Sequence, residues 1–217
     1  LADVPSASLT EALAAAPPRC PARPDPQARW LKVEIDDEAG TVTRPPGLMI
    51  DTGGTGKGLC ADAVGLHLGG YSRYVVDCGG DIAVGGIGAQ LHPYPVAVEH
   101  PLTGETIGTV PVARGGIATS GLNVRIWRRR DGGFAHHLLD PSTGEPAWTG
   151  LVGATALGDT ALEAETLSKV ALLSGPAGAR RGLARAGGLV VHDDGDVEVI
   201  GPLAGQLTDA GVLVRSA

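Results

Sequence analysis

The stretch Asp51-Thr-Gly-Gly-Thr-Gly-Lys-Gly58 gathers what an anion needs: glycines that let a ligand approach the main chain, and one full positive charge on Lys57. An apolar run, Leu48-Met49-Ile50, leads into it. Beyond it Cys60, Val64 and Leu68 recur every fourth residue, which predicts a helix from Lys57 to Leu68 stopped by Gly69-Gly70. Strand, glycine loop and helix in that order leave unpaired N–H groups at a helix start, where the peptide dipoles favour negative charge. The expected ligand is a phosphate or pyrophosphate. A Walker A loop would need glycine where Asp51 stands and Ser or Thr where Gly58 stands, and a dinucleotide fingerprint begun at Gly54 would need glycine at Leu59. Both spacings fail, and the same glycines also suit a plain tight turn before a helix.

Other residues with chemistry lie further on. Asp81 follows Gly79-Gly80 and either presents its carboxylate or bonds its own backbone. Thr119 and Ser120 stand in Gly115-Gly-Ile-Ala-Thr-Ser-Gly121. Adjacent His136 and His137 fall on a strand of period two, so one points inward and the other to solvent. Thr160-Ala-Leu-Glu163 fits a capping box that opens a helix ending at Ser174 before Gly175-Pro176. On that helix Glu165 and Lys169 are an i, i+4 pair flanked by Leu162, Leu172 and Leu173, which favours partial burial over an exposed ion pair. A Ser120/His137/Asp81 hydrolase is disfavoured, because Ala118 and Leu122 replace the glycines of a Gly-x-Ser-x-Gly elbow.

The elements that must position these groups are read from pattern. Strands are expected at Trp30–Asp36, Thr41–Thr43, Leu48–Ile50, Tyr74–Cys78, Ile82–Val84, Tyr94–Glu99, Thr106–Ala113, Val124–Arg128, Phe134–Leu139, Leu151–Leu157, Leu189–Val191 and Val197–Ile200. Short helices are expected at Leu9–Ala16 and Ala177–Ala186. The 217 residues, 43% hydrophobic, suffice for one sizeable core. A net charge of −7 argues against nucleic acid, whose binding requires clustered Lys and Arg. No run approaches a membrane span, and the first residues lack the order of a signal peptide, so the chain as given is expected to be soluble, either cytoplasmic or associated with the cell envelope. The three cysteines, Cys20, Cys60 and Cys78, suggest neither a disulfide framework nor a zinc site.

Taken in order, Asp51-x-Gly-Gly-x-x-Lys-Gly58, Gly79-Gly80-Asp81, Ala118-Thr-Ser-Gly121, His137-Leu-Leu-Asp-Pro-Ser-Thr-Gly144 and Ala164-Glu165 resemble the ApbE family of FAD:protein FMN transferases. The resemblance implies an α+β, T-fold-like domain with antiparallel and mixed sheets and a few helices. It implies binding of FAD and transfer of its FMN half to a Thr or Ser hydroxyl of an acceptor protein, with release of AMP and usually with magnesium. Gly53, Gly54, Gly56 and Lys57 would then approach the FAD phosphates, with Asp81, Thr119, Ser120 and Lys169 also at the flavin site. Lys57 and His137 would be the catalytic pair, His137 as phosphate contact or general base, while Asp140 and Thr143 shape its loop.

Two departures stand out. The family's helix motif carries an Asp and, four residues on, a Thr that hold magnesium with a glycine-loop carbonyl; here Glu165 and Lys169 align to them and Gly56 to the carbonyl. An ammonium group has no lone pair for a metal. The expectation is that Lys169, held by Glu165, places its own charge where magnesium would sit. The alternative function is an FAD-binding protein of the same fold that does not transfer. Family members also carry a longer region before the glycine loop, so residues 1–29, rich in Pro and Ala, are expected to be the remnant of one, and 30–217 a single domain.

Overall fold

The computed structural model describes residues 7–208 and the backbone of 214–216. Residues 1–6, 209–213 and 217 lie outside the described residues, and so do the outer ends of the expected segment 1–29 and domain 30–217. The strands are β1 (Glu34–Asp36), β2 (Thr41–Thr43), β3 (Tyr74–Asp77), β4 (Asp81–Gly85), β5 (Tyr94–Glu99), β6 (Thr106–Val112), β7 (Gly115–Gly121), β8 (Ile126–Arg128), β9 (Phe134–His136), β10 (Leu151–Gly158), β11 (Gly188–His192), β12 (Val197–Ile200) and β13 (Val214–Ser216). The α-helices are α1 (Leu9–Ala15), α2 (Gly56–His67) and α3 (Ala161–Leu183). The fold is α+β.

Seven strands form one sheet in the order β13-β12-β11-β10-β7-β4-β3, antiparallel throughout except that β12 and β13 are parallel. The pairs β1-β2, β5-β6 and β8-β9 are separate hairpins. Strand alternation gives the sheet two unlike faces. In register, Asp81 pairs with Ala118 and Ser120 with Ala154, so small residues line the face toward α3; Ile82 pairs with Ile117 and Thr119 with Thr155 on the other. The first face admits a helix at short range. A Cβ on Gly116 would stand 2.4 Å from Ala161 Cα, a separation no side chain tolerates. That is why Gly115–Gly121, with its glycines and few β-formers, escaped assignment as a strand and yet runs through the middle of the sheet: what decides it is the helix packed above.

The start of α3 is fixed from three sides. Thr160 Oγ1 accepts the Glu163 N–H at 3.1 Å, and Glu163 Oε2 accepts the Asp159 N–H at 2.8 Å. Asp62 of α2 takes the Ala161 and Leu162 N–H groups at 2.8 and 2.9 Å, satisfying donors that a helix start otherwise leaves unpaired. Gly175, at φ 67°, breaks α3 before Pro176 as the sequence pattern expects, and the helix resumes beyond.

Two strand expectations fail. Trp30 lies in a 3-10 turn (Arg29–Lys32), which leaves only Glu34–Asp36 to pair with β2. Leu48–Ile50 is not a strand, and Met49 is 88% exposed: an apolar run becomes a strand only where another strand takes up its backbone groups, and among the described residues none pairs with this one. The expected junction is therefore loop and helix, without the strand. The described part of the opening segment is bound to the domain. Leu9 and Ala12 of α1 are buried in the core, and the N–H groups of Cys20 and Ala22 reach the Trp148 and Leu173 carbonyls.

Candidate active site

Helix α2 begins in the glycine loop, and Lys57 in its first turn reaches the β3–β4 turn. Its Nζ stands 2.9 Å from Asp81 Oδ2 and donates to the Gly79 carbonyl at 3.1 Å. Asp81 is 1% exposed. Lys57 is its ion-pair partner, and beyond that pair neither carboxylate oxygen accepts a hydrogen bond in the described structure. Burial raises its pKa; Lys57 opposes the rise, and the Glu165 charge adds to it.

Glu165 is fully buried where α3 crosses α2. That crossing requires Gly58, since a Cβ there would lie 2.5 Å from the Ala161 carbonyl oxygen. Both carboxylate oxygens are engaged: Oε2 accepts the Gly58 N–H at 2.7 Å and Oε1 the Lys169 ammonium at 2.8 Å. Burial works to raise the Glu165 pKa, but Lys169 and the Gly58 N–H outweigh it and hold the carboxyl below its ordinary range. Lys169, 18% exposed, lies against the glycine loop, its Cδ 3.8 Å from where a Cβ on Gly54 would stand. Ser168 accompanies it, bonded to Ser120 at 2.8 Å and donating to the Glu165 carbonyl at 2.9 Å.

The adjacent histidines divide between core and solvent, but the strand expected through both ends at His136, so the loop and not strand alternation turns His137 outward. His136 is buried edge-on to Trp148, ring centroids 4.7 Å apart, and burial lowers its pKa to about 4. His137 is exposed on the loop after β9. Burial of the ring's inner side lowers its pKa first; the Arg125 backbone opposes this, and the charges of Arg125, Lys169 and Lys57 lower it further. Its imidazole is thus neutral near pH 7 and sits in the field of the same two lysines. The loop that follows turns on Asp140, whose Oδ1 accepts the N–H groups of Arg23 and Ser142 at 3.1 and 2.8 Å.

Lys57, Asp81, Glu165, Lys169 and Ser120 therefore lie on the helix-facing side of the sheet around the glycine loop, with His137 close enough to feel both ammonium groups. Gly53, Gly54 and Gly56 form that loop: Gly53 N–H donates to Asp51 at 2.7 Å and Gly56 N–H to the Thr52 carbonyl at 2.7 Å. Thr119 is turned the other way, its Oγ1 2.9 Å from Thr155 Oγ1. There a cavity of about 350 Å³ opens between the sheet and β5, lined by Gly79, Gly80, Thr119, Thr155 and Val98. The Gly79-Gly80 turn borders both sides. A larger cavity of about 560 Å³, beside Arg114 and Arg185, contains none of the residues expected at the site. The Asp62 cap and Ser168 escaped the sequence reading; their Asp and Ser are common residue types whose partners lie about a hundred and nearly fifty positions away.

The pair Glu165 and Lys169, as it stands, offers magnesium no free ligand. Glu165 has both oxygens taken, and the neighbouring group is an ammonium with no lone pair.

The family model of the ApbE family matches residues 4–191. The FAD:protein FMN transferases of Klebsiella pneumoniae (strain 342) and Escherichia coli (strain K12) are each 33% identical over 151 residues, 68% of this chain but only 43% and 42% of theirs. The chain thus spans less than half the length of these curated relatives. Among solved structures, the ApbE protein of Thermotoga maritima superposes with a TM-score of 0.69 at 27% identity, covering 90% of this chain and 62% of that one. The flavin transferase ApbE of Vibrio cholerae gives 0.65 at 25%, covering 81% and 58%. Sequence and fold agree, and the chain belongs to the ApbE family.

Proposed function

We propose that this chain carries the flavin-transfer site of an FAD:protein FMN transferase. FAD lies with its pyrophosphate over Gly53–Gly58 and between Lys57 and Lys169. A Thr or Ser hydroxyl of an acceptor protein attacks the FMN phosphorus; the bond to the AMP oxygen breaks, AMP leaves, and a phosphoester joins FMN to the acceptor. Neutral His137 takes the hydroxyl proton, which a lowered imidazole pKa permits near neutrality. Lys57 and Lys169 stabilise the charge that spreads over the phosphoryl oxygens. Asp81 and Glu165 hold the two ammonium groups in place.

The observation that carries this reading is the Lys169–Glu165–Gly58 latch, which sets a cation against the glycine loop where a metal would otherwise be required. On this reading FAD binds without magnesium. A second reading, FAD binding without transfer, is raised by the same lysine, because one positive charge stabilises a phosphoryl transition state less than two, but relatives that are FAD:protein FMN transferases do not favour it. Incubation with FAD and an acceptor, in EDTA and in magnesium, separates the two. Flavin fluorescence on the denatured acceptor with matching AMP supports transfer; FAD recovered intact supports the binder. Strict magnesium dependence of binding would overturn the role given to Lys169.

A further inference from the structure

Beside the glycine loop lie two thiols that flavin transfer does not use. Cys60 is three residues after Lys57 on α2, so both side chains leave the same side of the helix. Lys57 reaches the Gly79 carbonyl, and Cys78 is the residue before Gly79. Helix and turn are in contact here: a Cβ on Gly79 would stand 3.9 Å from Lys57 Cδ, and Cys78 packs against the cluster formed by Ala61, Ala83 and Ala161. That cluster includes Ala61, the residue after Cys60, and the Cys60 thiol lies near enough to raise the Cys78 pKa. Cys60 is exposed, Cys78 is half-buried and both are free thiols, as is Cys20 in the opening segment.

We propose that Cys60 and Cys78 are a redox-active dithiol, which low-molecular-weight disulfides oxidise to an intramolecular bond tying the start of α2 to the β3–β4 turn. Cys60, open to solvent, loses its proton and attacks one sulfur of the external disulfide, expelling a thiolate and forming a mixed disulfide. Cys78 then loses its proton and attacks Cys60 Sγ, expelling the second thiolate. The two released protons end on the two departing thiolates, so two protein thiols are oxidised and one disulfide is reduced. Burial raises the Cys78 pKa, with Cys60, Asp77 and Asp81 adding to the rise, which suits it to act second. The bond draws the sulfurs to about 2 Å. Resting on the flavin reading, it locks the start of α2 against the Gly79-Gly80 turn and prevents both from adjusting to a bound phosphate, so FAD affinity falls about tenfold.

The test is incubation of the whole chain with glutathione disulfide, alkylation of remaining thiols and peptide mapping without reduction. The expected product links Cys60 to Cys78 and leaves Cys20 outside the link. Cys78→Ser should accumulate glutathione on Cys60, while Cys60→Ser should leave Cys78 largely unmodified. A dominant product of glutathione on Cys60 alone in the unsubstituted chain, or a link through Cys20, overturns the pair. FAD titration of the reduced and linked forms tests the consequence separately. Failure of the reduced form to bind FAD overturns the flavin reading and not the dithiol; equal affinity of the two forms overturns the control of binding.

Discussion

Replacing Lys169 with methionine tests the centre of the site. The change keeps an unbranched apolar stem against Gly54 and removes the ammonium, leaving the fully buried Glu165 carboxylate with one hydrogen bond, from the Gly58 N–H. Removing one partner of a buried ion pair destabilises by about 3–5 kcal/mol. Lys169 is 18% exposed, so water reaches the vacated place and about 2 kcal/mol is the better expectation. For a chain of this size that lowers Tm by about 4–8 °C. Glu165→Gln in the same chain should recover most of the loss, because the neutral amide oxygen still accepts from Gly58 and no charge is left unpaired. Urea denaturation of the two single variants and the double variant should give a coupling of about 1.5 kcal/mol. Calorimetric titration should show FAD affinity down at least tenfold, about 1.4 kcal/mol, in Lys169→Met. If Lys169→Met lies within about 0.5 kcal/mol of the parent and binds FAD equally, the pair contributes no more than an exposed helix pair and the reasoning is refuted.

Other expectations follow from neighbouring observations. Lys169→Thr frees Glu165 Oε1 and should make FAD binding respond to magnesium, which titration with and without EDTA reads directly; no response in the variant counts against the site. His137→Ala should slow transfer by about 10²–10⁴ and leave FAD affinity within about threefold. Since the neutral ring is the active form and its pKa is lowered, the rate should fall only at pH below the ordinary imidazole value of 6.5; a fall centred above it would be inconsistent with this base. The buried His136, at about 4 against 6.5 when unfolded, binds fewer protons folded than unfolded between those values. Stability should therefore decline as pH drops from 6.5 to 4 by about 3 kcal/mol and level off below, a slope that His136→Gln should flatten in denaturation curves. Asp62→Ala should cost about 1 kcal/mol by uncapping α3, and an unchanged urea midpoint would show the cap is idle.

By itself the sequence determined the family, the α+β class and the elements whose signals are local. The Lys57–Leu68 periodicity became α2, the Thr160 capping box opens α3, the hairpins fall where turn residues mark them, and His136 is buried while His137 is exposed, although the strand ends between them. The burial of Glu165 was also legible, because its leucine neighbours share its side of the helix. Tertiary structure alone decided the rest, since long-range contacts override local preference. Gly115–Gly121 is a central strand because α3 packs directly upon it, and Leu48–Ile50 is not one because no strand receives its backbone. Glu165 finds its second bond on a residue 107 positions away, and Cys78 finds Cys60 across the turn that Lys57 grips. Spacing along a chain reports which face a side chain leaves; only the packing of one element on another reports what it meets there.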